Sequence, residues 1–307
     1  MFLSRRGPMS STQVILITGS STGFGRLFAE TLARHGHTVY ATMRDINGRN
    51  TANSSELREL ARRESLPLHV LEMDVTEETS VERAVCTVLE HSGRIDVAIN
   101  NAGYGLIGMA EAVTVEQAQR IMDTNFFGCV RVNRAVLPFM RRQQSGLLMH
   151  ISSGAGRLII PSFAFYCASK FAMEALAESY HYELAPQGIE STLVEPGAYK
   201  TSVFGNIVMA SDTARTETYG PANSIPGKIN QILTAAAADP QEVADAVLRI
   251  VETPAGRRQL RYRVSPADMG VDAINALSAQ VQTSMLEAFG LTADTTFVQC
   301  SAAASTD

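Results

Sequence analysis

The chain has 307 residues, 45% of them hydrophobic, and 26 Lys and Arg against 31 Asp and Glu give a formal net charge of −5. This is ample material for a core, and a mildly acidic chain without a long basic run argues against nucleic acid as the main partner. No stretch reaches the roughly 20 apolar residues that span a bilayer. The four cysteines, Cys86, Cys129, Cys167 and Cys300, show neither paired nor metal-ligand spacing, so reduced thiols, no metal site and a cytoplasmic protein are expected.

Residues 1–11, beginning MFLSRRGPMS, carry two arginines with no apolar segment behind them and read as a flexible leader. From residue 12 onward the chain alternates strand and helix patterns. The β-branched run Val14–Thr18 predicts a strand buried on both faces. A helix is expected over Arg26–His35, stopped by Gly36. Further strands are expected at Thr38–Thr42, Leu68–Met73, Ile95–Ile99, Leu147–Ile151 and Glu190–Val194. Helices are expected at Ser55–Arg63, Glu78–Glu90, Val115–Arg142 as one long element, and Phe165–Leu184. This alternation predicts one α/β domain, a doubly wound parallel sheet in three layers with right-handed crossovers. Residues 198–226 are rich in Gly, Pro, Ser and Thr and read as a long substrate loop. A helix at Gln241–Glu252, a last strand at Gln259–Val264 and a helix at Val271–Phe289 follow, the last within a C-terminal extension at about 266–307.

After the first strand comes TGSSTGFG, with glycines at Gly19, Gly23 and Gly25. Glycines let the backbone turn sharply and approach a diphosphate seated on the N–H groups that open the next helix. Ser21, Thr22 and Phe24 complete that candidate phosphate turn. The second strand ends in MRD. Arg44 can offer a charge-assisted fork to a ribose 2′-phosphate, whereas Asp45 could bond a ribose hydroxyl or pair with a cation. Arg44 favours NADP(H), with NAD(H) as the alternative.

Four stretches in order complete the pattern: TGSSTGFG, NNAG at Asn100–Gly103, Ser153 placed 13 residues before a tyrosine, and YCASK with Tyr166 and Lys170. With Glu195-Pro196-Gly197 after a strand, they resemble the short-chain dehydrogenase/reductase family over roughly residues 12–265. The resemblance is closest to the branch with 17β-hydroxysteroid and retinol dehydrogenases. It implies a Rossmann-type fold and an oxidoreductase with Asn125, Ser153, Tyr166 and Lys170 as a catalytic tetrad. It implies cofactor contacts at Asp74, Val75, Asn101, Ala102, Gly103, Pro196, Gly197 and Thr201, and with Tyr166 and Lys170. Lys170 is expected on the nicotinamide ribose and Asn125 on a proton-relay water.

On a helix, residues four apart share a face, so Lys170 reaches Tyr166. A cation about 4 Å away at an effective dielectric near 20 favours phenolate by roughly 4 kcal/mol. The phenol is therefore expected to be acidified toward working pH. Ser153 is expected to donate to the substrate oxygen. His150 and Cys167 read as packed core residues, and His181 as a surface or subunit contact. Arg131, Arg134, Arg141 and Arg142 read as a solvated or interface face. Leu158, Ile159, Ile160, Phe163, Tyr199, Val203, Phe204 and Met209 are expected to line the pocket of a hydrophobic carbonyl or alcohol. The two long helices resemble the family's dimer-forming pair, which implies a homodimer or homotetramer. A nucleotide-sensing binding protein on the same fold is the second function class.

Overall fold

The computed structural model describes residues 12–199, 207–235 and 238–299. The leader, Thr201, Val203, Phe204 and Cys300 lie outside them. In chain order the first half runs β1 (Val14–Ile17), α1 (Gly23–Arg34), β2 (Thr38–Met43), α2 (Thr51–Glu64), β3 (Leu68–Glu72), α3 (Glu78–Ser92) and β4 (Val97–Asn100). A short β5 (Leu106–Ile107) leads to α4 (Val115–Met122), a π-helical turn at Asp123–Phe127, α5 (Gly128–Gln143) and β6 (Gly146–Ile151). Then come a 3-10 turn at Gly154–Gly156, α6 (Ala164–Leu184), β7 (Ile189–Pro196), β8 (Val208–Met209), α7 (Thr213–Glu217) and α8 (Ile225–Thr234). The last elements are α9 (Gln241–Glu252), β9 (Arg261–Val264) and α10 (Val271–Ala288).

Seven strands form one sheet in the order β3-β2-β1-β4-β6-β7-β9, and every pairing is parallel. The predicted single doubly wound domain is what forms. The strand side chains alternate between the two faces, as a period of two requires. Ile15, Ile17, Val97, Ile99, Leu147 and Met149 enter one core with Phe28, Leu32, Leu57 and Val247. Val14, Leu16, Ala98 and Leu148 enter the other with Val81, Val85, Val136 and Met140. Phe28 and Leu32 stand one turn apart on α1 and are wholly buried, each contributing about 2–3 kcal/mol by area. Truncating Leu32 to Ala would cost roughly 2–5 kcal/mol.

Two expectations are refined. The helix expected over 115–142 runs without a break, but a π-helical turn at Asp123–Phe127 inserts an extra residue between its halves α4 and α5. Such turns re-aim one side chain, here Asn125, which becomes wholly buried. The connection after β7 is also more ordered than its composition suggests: β8 pairs in parallel with β5, and α7 and α8 follow. The winding reverses between β1, paired to β2, and β4, its other neighbour. The carboxyl ends of these strands lie on one sheet edge, where open α/β sheets bind their ligands.

Candidate active site

The turn after β1 is built by Thr18, a residue the sequence reading passed over although it opens the glycine motif. Its Oγ1 accepts hydrogen bonds from the N–H groups of Asn101 and Ala102, each at 2.9 Å. Asn101 Nδ2 donates back to the carbonyls of Thr18 at 2.9 Å and Gly19 at 3.1 Å. The NNAG segment is thereby fastened to the glycine turn. Gly19 has φ +68°, and a Cβ there would lie 2.8 Å from Ala102 Cα. A Cβ on Gly25 would lie 2.3 Å from the Gly19 carbonyl oxygen. Only glycine fits these approaches.

The first turn of α1 has no acidic residue, and its N-cap Thr22 makes no side-chain capping bond. Its free N–H groups and positive helix end suit an anion. The residues present therefore fit a dinucleotide diphosphate, with Gly19, Ser21, Thr22, Gly23 and Gly25 at its cradle. Phe24, half-buried, packs its ring at 6.0 Å on Phe28 and edge-on to Tyr199 at 5.9 Å. Its side chain packs against the core from the cradle side of α1.

At the end of β2 the two candidates separate. Asp45 has φ +51°, and its carboxylate accepts the Arg49 N–H at 2.8 Å within its own turn. Arg44 is exposed. Asp74, beyond β3, accepts both the N–H and the hydroxyl of Thr76 at 2.9 and 2.7 Å. Val75 is buried, and its side chain fills the space beside Gly128. Its carbonyl accepts from Arg131, which also pairs with Asp123 at 2.7 Å. Arg131 is thus tied down rather than solvated.

The catalytic candidates converge where β6 ends. Ser153, with extended backbone, accepts the Ala155 N–H at 3.1 Å and lies beside the Tyr166 phenol, near enough to oppose its upward shift. Tyr166 and Lys170 lie one turn apart on α6. The ammonium stands 5.7 Å from the Tyr166 ring centre and donates to the Ile151 carbonyl at 2.8 Å. The expected acidification of the phenol is not what this geometry gives. Burial pushes Tyr166 up to about 12, against the opposing effect of Ser153. Lys170, itself 6% exposed, is pushed down to about 8 by burial. The reason is direction: the ammonium is aimed at a main-chain carbonyl, and desolvation outweighs its attraction for a phenolate. Burial therefore favours the protonated phenol.

Asn125 is wholly buried and fully hydrogen-bonded through its side chain. Its Oδ1 accepts the Tyr104 N–H, and its Nδ2 donates to the Tyr104 carbonyl, both at 3.0 Å, and to Ser169 Oγ at 3.1 Å. The amide thereby orders the loop after β4. Gly103 fits closely beside it, since a Cβ there would lie 3.0 Å from Asn125 Oδ1. Pro196 closes β7, and the Gly197 N–H donates to the Val264 carbonyl at 2.9 Å.

His150 is wholly buried and is pushed down to about 3, mainly by burial, as a packed neutral histidine would be. Cys167 is buried too. His181 turns inward, its Nδ1 3.2 Å from the Ser191 carbonyl. On the substrate side, Phe163 packs with Ile107 and Cys167, and Ile160, Tyr166, Ile207 and Ile229 pack against them. Tyr199 does not line this space. It is buried among core residues and hydrogen-bonds to Glu242 at 3.2 Å. Leu158 is half-buried, and Ile159 and Met209 are exposed.

A parallel doubly wound sheet with a glycine cradle and a Ser-Tyr-Lys cluster at one edge defines a nucleotide-binding oxidoreductase scaffold. The family comparison agrees: residues 13–211 match the short chain dehydrogenase family, and the chain belongs to it. It is 37% identical over 239 residues to 3-ketodihydrosphingosine reductase of Bacteroides thetaiotaomicron, covering 78% of this chain and 83% of that one. It is 36% identical over 259 residues to human 17-beta-hydroxysteroid dehydrogenase type 1, covering 81% and 76%. A short-chain dehydrogenase from Streptomyces avermitilis superposes with TM-score 0.73 at 31% identity, covering 94% and 99%. The family and the 17β-hydroxysteroid branch expected from the motifs are thus both found.

Proposed function

We propose that this protein interconverts a ketone and a secondary alcohol on a hydrophobic substrate, with NADP(H) preferred over NAD(H). The observation that carries the reading is the meeting of Ser153, Tyr166 and Lys170 at the sheet edge that also bears the glycine cradle. When bound, the nicotinamide supplies or accepts hydride. Ser153 Oγ orients the substrate oxygen and stabilises charge growing there. Tyr166, held protonated, delivers its proton to that oxygen. Lys170 limits the cost of the phenolate left behind.

The NADP(H) preference rests on β2. Asp45 is occupied by its own turn, while Arg44 extends into solvent beside the cradle and suits a phosphate fork. A primary alcohol and aldehyde pair fits the same chemistry. The apolar neighbourhood of Phe163, Ile160, Ile207 and Ile229 supports an apolar substrate. Two relatives named for a sphingoid ketone and a steroid support the same class. The site lies in a chain whose described residues hold no helix long and apolar enough to cross a membrane.

The partner is a second copy of the chain. A groove of about 590 Å³ lined by Val113, Val115, Met122, Phe127 and Phe165 leaves Val115 and Phe127 67% and 48% exposed, on the helices the sequence reading paired. Burying such a face favours association. Light scattering at micromolar concentration should give a dimer or tetramer mass. The function itself is tested by a panel of steroid, long-chain and aromatic ketones with NADPH and NADH, followed at the absorbance of the reduced nicotinamide. Turnover of apolar ketones, faster with NADPH, is expected. Inactivity on the whole panel in both directions would overturn the reading.

A further inference from the structure

Behind the catalytic serine lies a buried charge cluster that the reaction does not use. Arg261, on β9, pairs with Glu174 at 3.1 Å and Glu178 at 2.8 Å, and its Nε lies 3.5 Å from Glu195. Glu174 and Glu195 are 2% and 0% exposed. Arg157 faces the same carboxylates. Three acids thus share two guanidiniums, and one proton brings the cluster to neutrality. The hydrogen-bond arrangement calls for the same proton. Among the described residues three buried acceptors, Glu174 Oε1, Glu195 Oε1 and Asn275 Oδ1, and only two donors of the cluster, Ser152 Oγ and Arg157 Nε, lack hydrogen-bond partners. A protonated carboxyl turns one such acceptor into a donor, which lowers the cost of leaving them bare.

The cluster joins the catalytic turn to the C-terminal helix. Glu174 lies flat on the 154–156 turn, where a Gly156 Cβ would meet its Cγ at 2.9 Å. Asn275 of α10 donates to Glu195 Oε2 at 2.7 Å, and Arg157 donates to Ser278 of α10. Among the residues of α10, Val271 alone is fully buried, so these polar contacts are a large part of what seats it.

We propose that Glu174 and Glu195 hold one proton between them and so act as positioning residues, keeping α10 seated and the turn that carries Ser153 in place. Loss of the proton leaves two buried carboxylates crowding one guanidinium nitrogen. Water must then enter, and lifting α10 admits it. Arg157, four residues after Ser153, moves with α10 through Ser278. Burial raises both acids, Glu195 to about 7, which sets the window near neutrality. The other charged groups facing the pair are Arg157, Arg261 and Arg263, with Lys170, Glu178 and His181 on α6 and Asp272 on α10. His181 is pushed below its ordinary value by burial.

The seating of α10 is independent of the proposed reaction, whereas the effect on Ser153 rests on it. The test is deuterium exchange of α10 in the full chain with NADPH, at pH 6 and pH 8, corrected for intrinsic exchange. Wild type should lose protection roughly tenfold over this step. Glu195→Gln, which imitates the protonated acid, should lose none. The same step should lower kcat/KM for an accepted ketone in wild type and not in the variant. A purely structural glutamate would lower stability at both pH values and leave the pH dependence intact. Glu174→Gln and the wild-type profile alone keep the test open if Glu195→Gln does not fold. Exchange that ignores pH in wild type, or a Gln variant with the wild-type pH dependence, would overturn the proposal. Inactivity on every ketone beside pH-dependent exchange would remove the proposed reaction and uphold the proton pair.

Discussion

Replacing Lys170 with methionine should separate the energetic cost of the catalytic cation from its use. Lys170 sits inside the protein, and burial drops it from its ordinary 10.5 to about 8. At pH 7 both folded and unfolded chains keep the ammonium charged, and holding it charged in the folded interior costs about 3 kcal/mol at roughly 1.36 kcal/mol per pKa unit. By pH 9.5 the folded group is neutral and the remaining cost is about 1 kcal/mol. The folded pKa lies below the unfolded one, so the native state binds fewer protons between about 8 and 10.5, and stability rises with pH across that window. Lys170→Met removes the effect. The stability difference between wild type and Lys170→Met should therefore shift by about 2 kcal/mol toward wild type from pH 7 to pH 9.5. Titrating groups away from Lys170 are common to both proteins and cancel, Cys129 beside it is pushed up to about 12 and stays protonated across the window, and Glu174 acts on Lys170 more weakly. At pH 7 the variant should be at least as stable as wild type, although Ile151 loses its 2.8 Å donor at a cost of about 1–3 kcal/mol. Urea unfolding followed by circular dichroism at each pH measures the difference. A difference that stays flat across the window would refute the account of Lys170 as a strained buried cation.

Tyr166→Phe removes the phenolic proton; turnover should fall about 10²–10⁴-fold while NADPH binding, read by fluorescence titration, is kept. Unchanged turnover would remove Tyr166 from its assigned role. Arg44→Ala deletes a charge-assisted fork worth about 1.5–3 kcal/mol, so the Kd for NADPH should rise roughly 10–100-fold and that for NADH little. Equal losses would mean that Arg44 does not read the phosphate. Gly25→Ala forces a methyl to 2.3 Å from the Gly19 carbonyl and 2.5 Å from Asn101 Nδ2; overpacking of this kind costs about 1–3 kcal/mol. Both thermal stability and dinucleotide affinity should drop, and wild-type values for both would contradict the tight cradle.

The sequence alone determined the doubly wound sheet, because β-branched runs such as Val14–Ile17 and helix-period segments such as Gly23–Arg34 are local patterns that report burial directly. It also placed Ser153, Tyr166 and Lys170, since family motifs fix which residues stand where. Only the tertiary structure decided what surrounds them. No local pattern says that Lys170 will be spent on the Ile151 carbonyl, that Asn125 will be spent on Tyr104, or that Asp45 will fold into its own turn. Nor does spacing reveal that Glu174, Glu195 and Arg261, far apart along the chain, meet behind the catalytic turn. Hydrogen-bond partners and desolvation depend on which strand ends become neighbours in space. For that reason an acidified phenol was legible as a helical spacing, and a phenol held protonated emerged only once its burial was known.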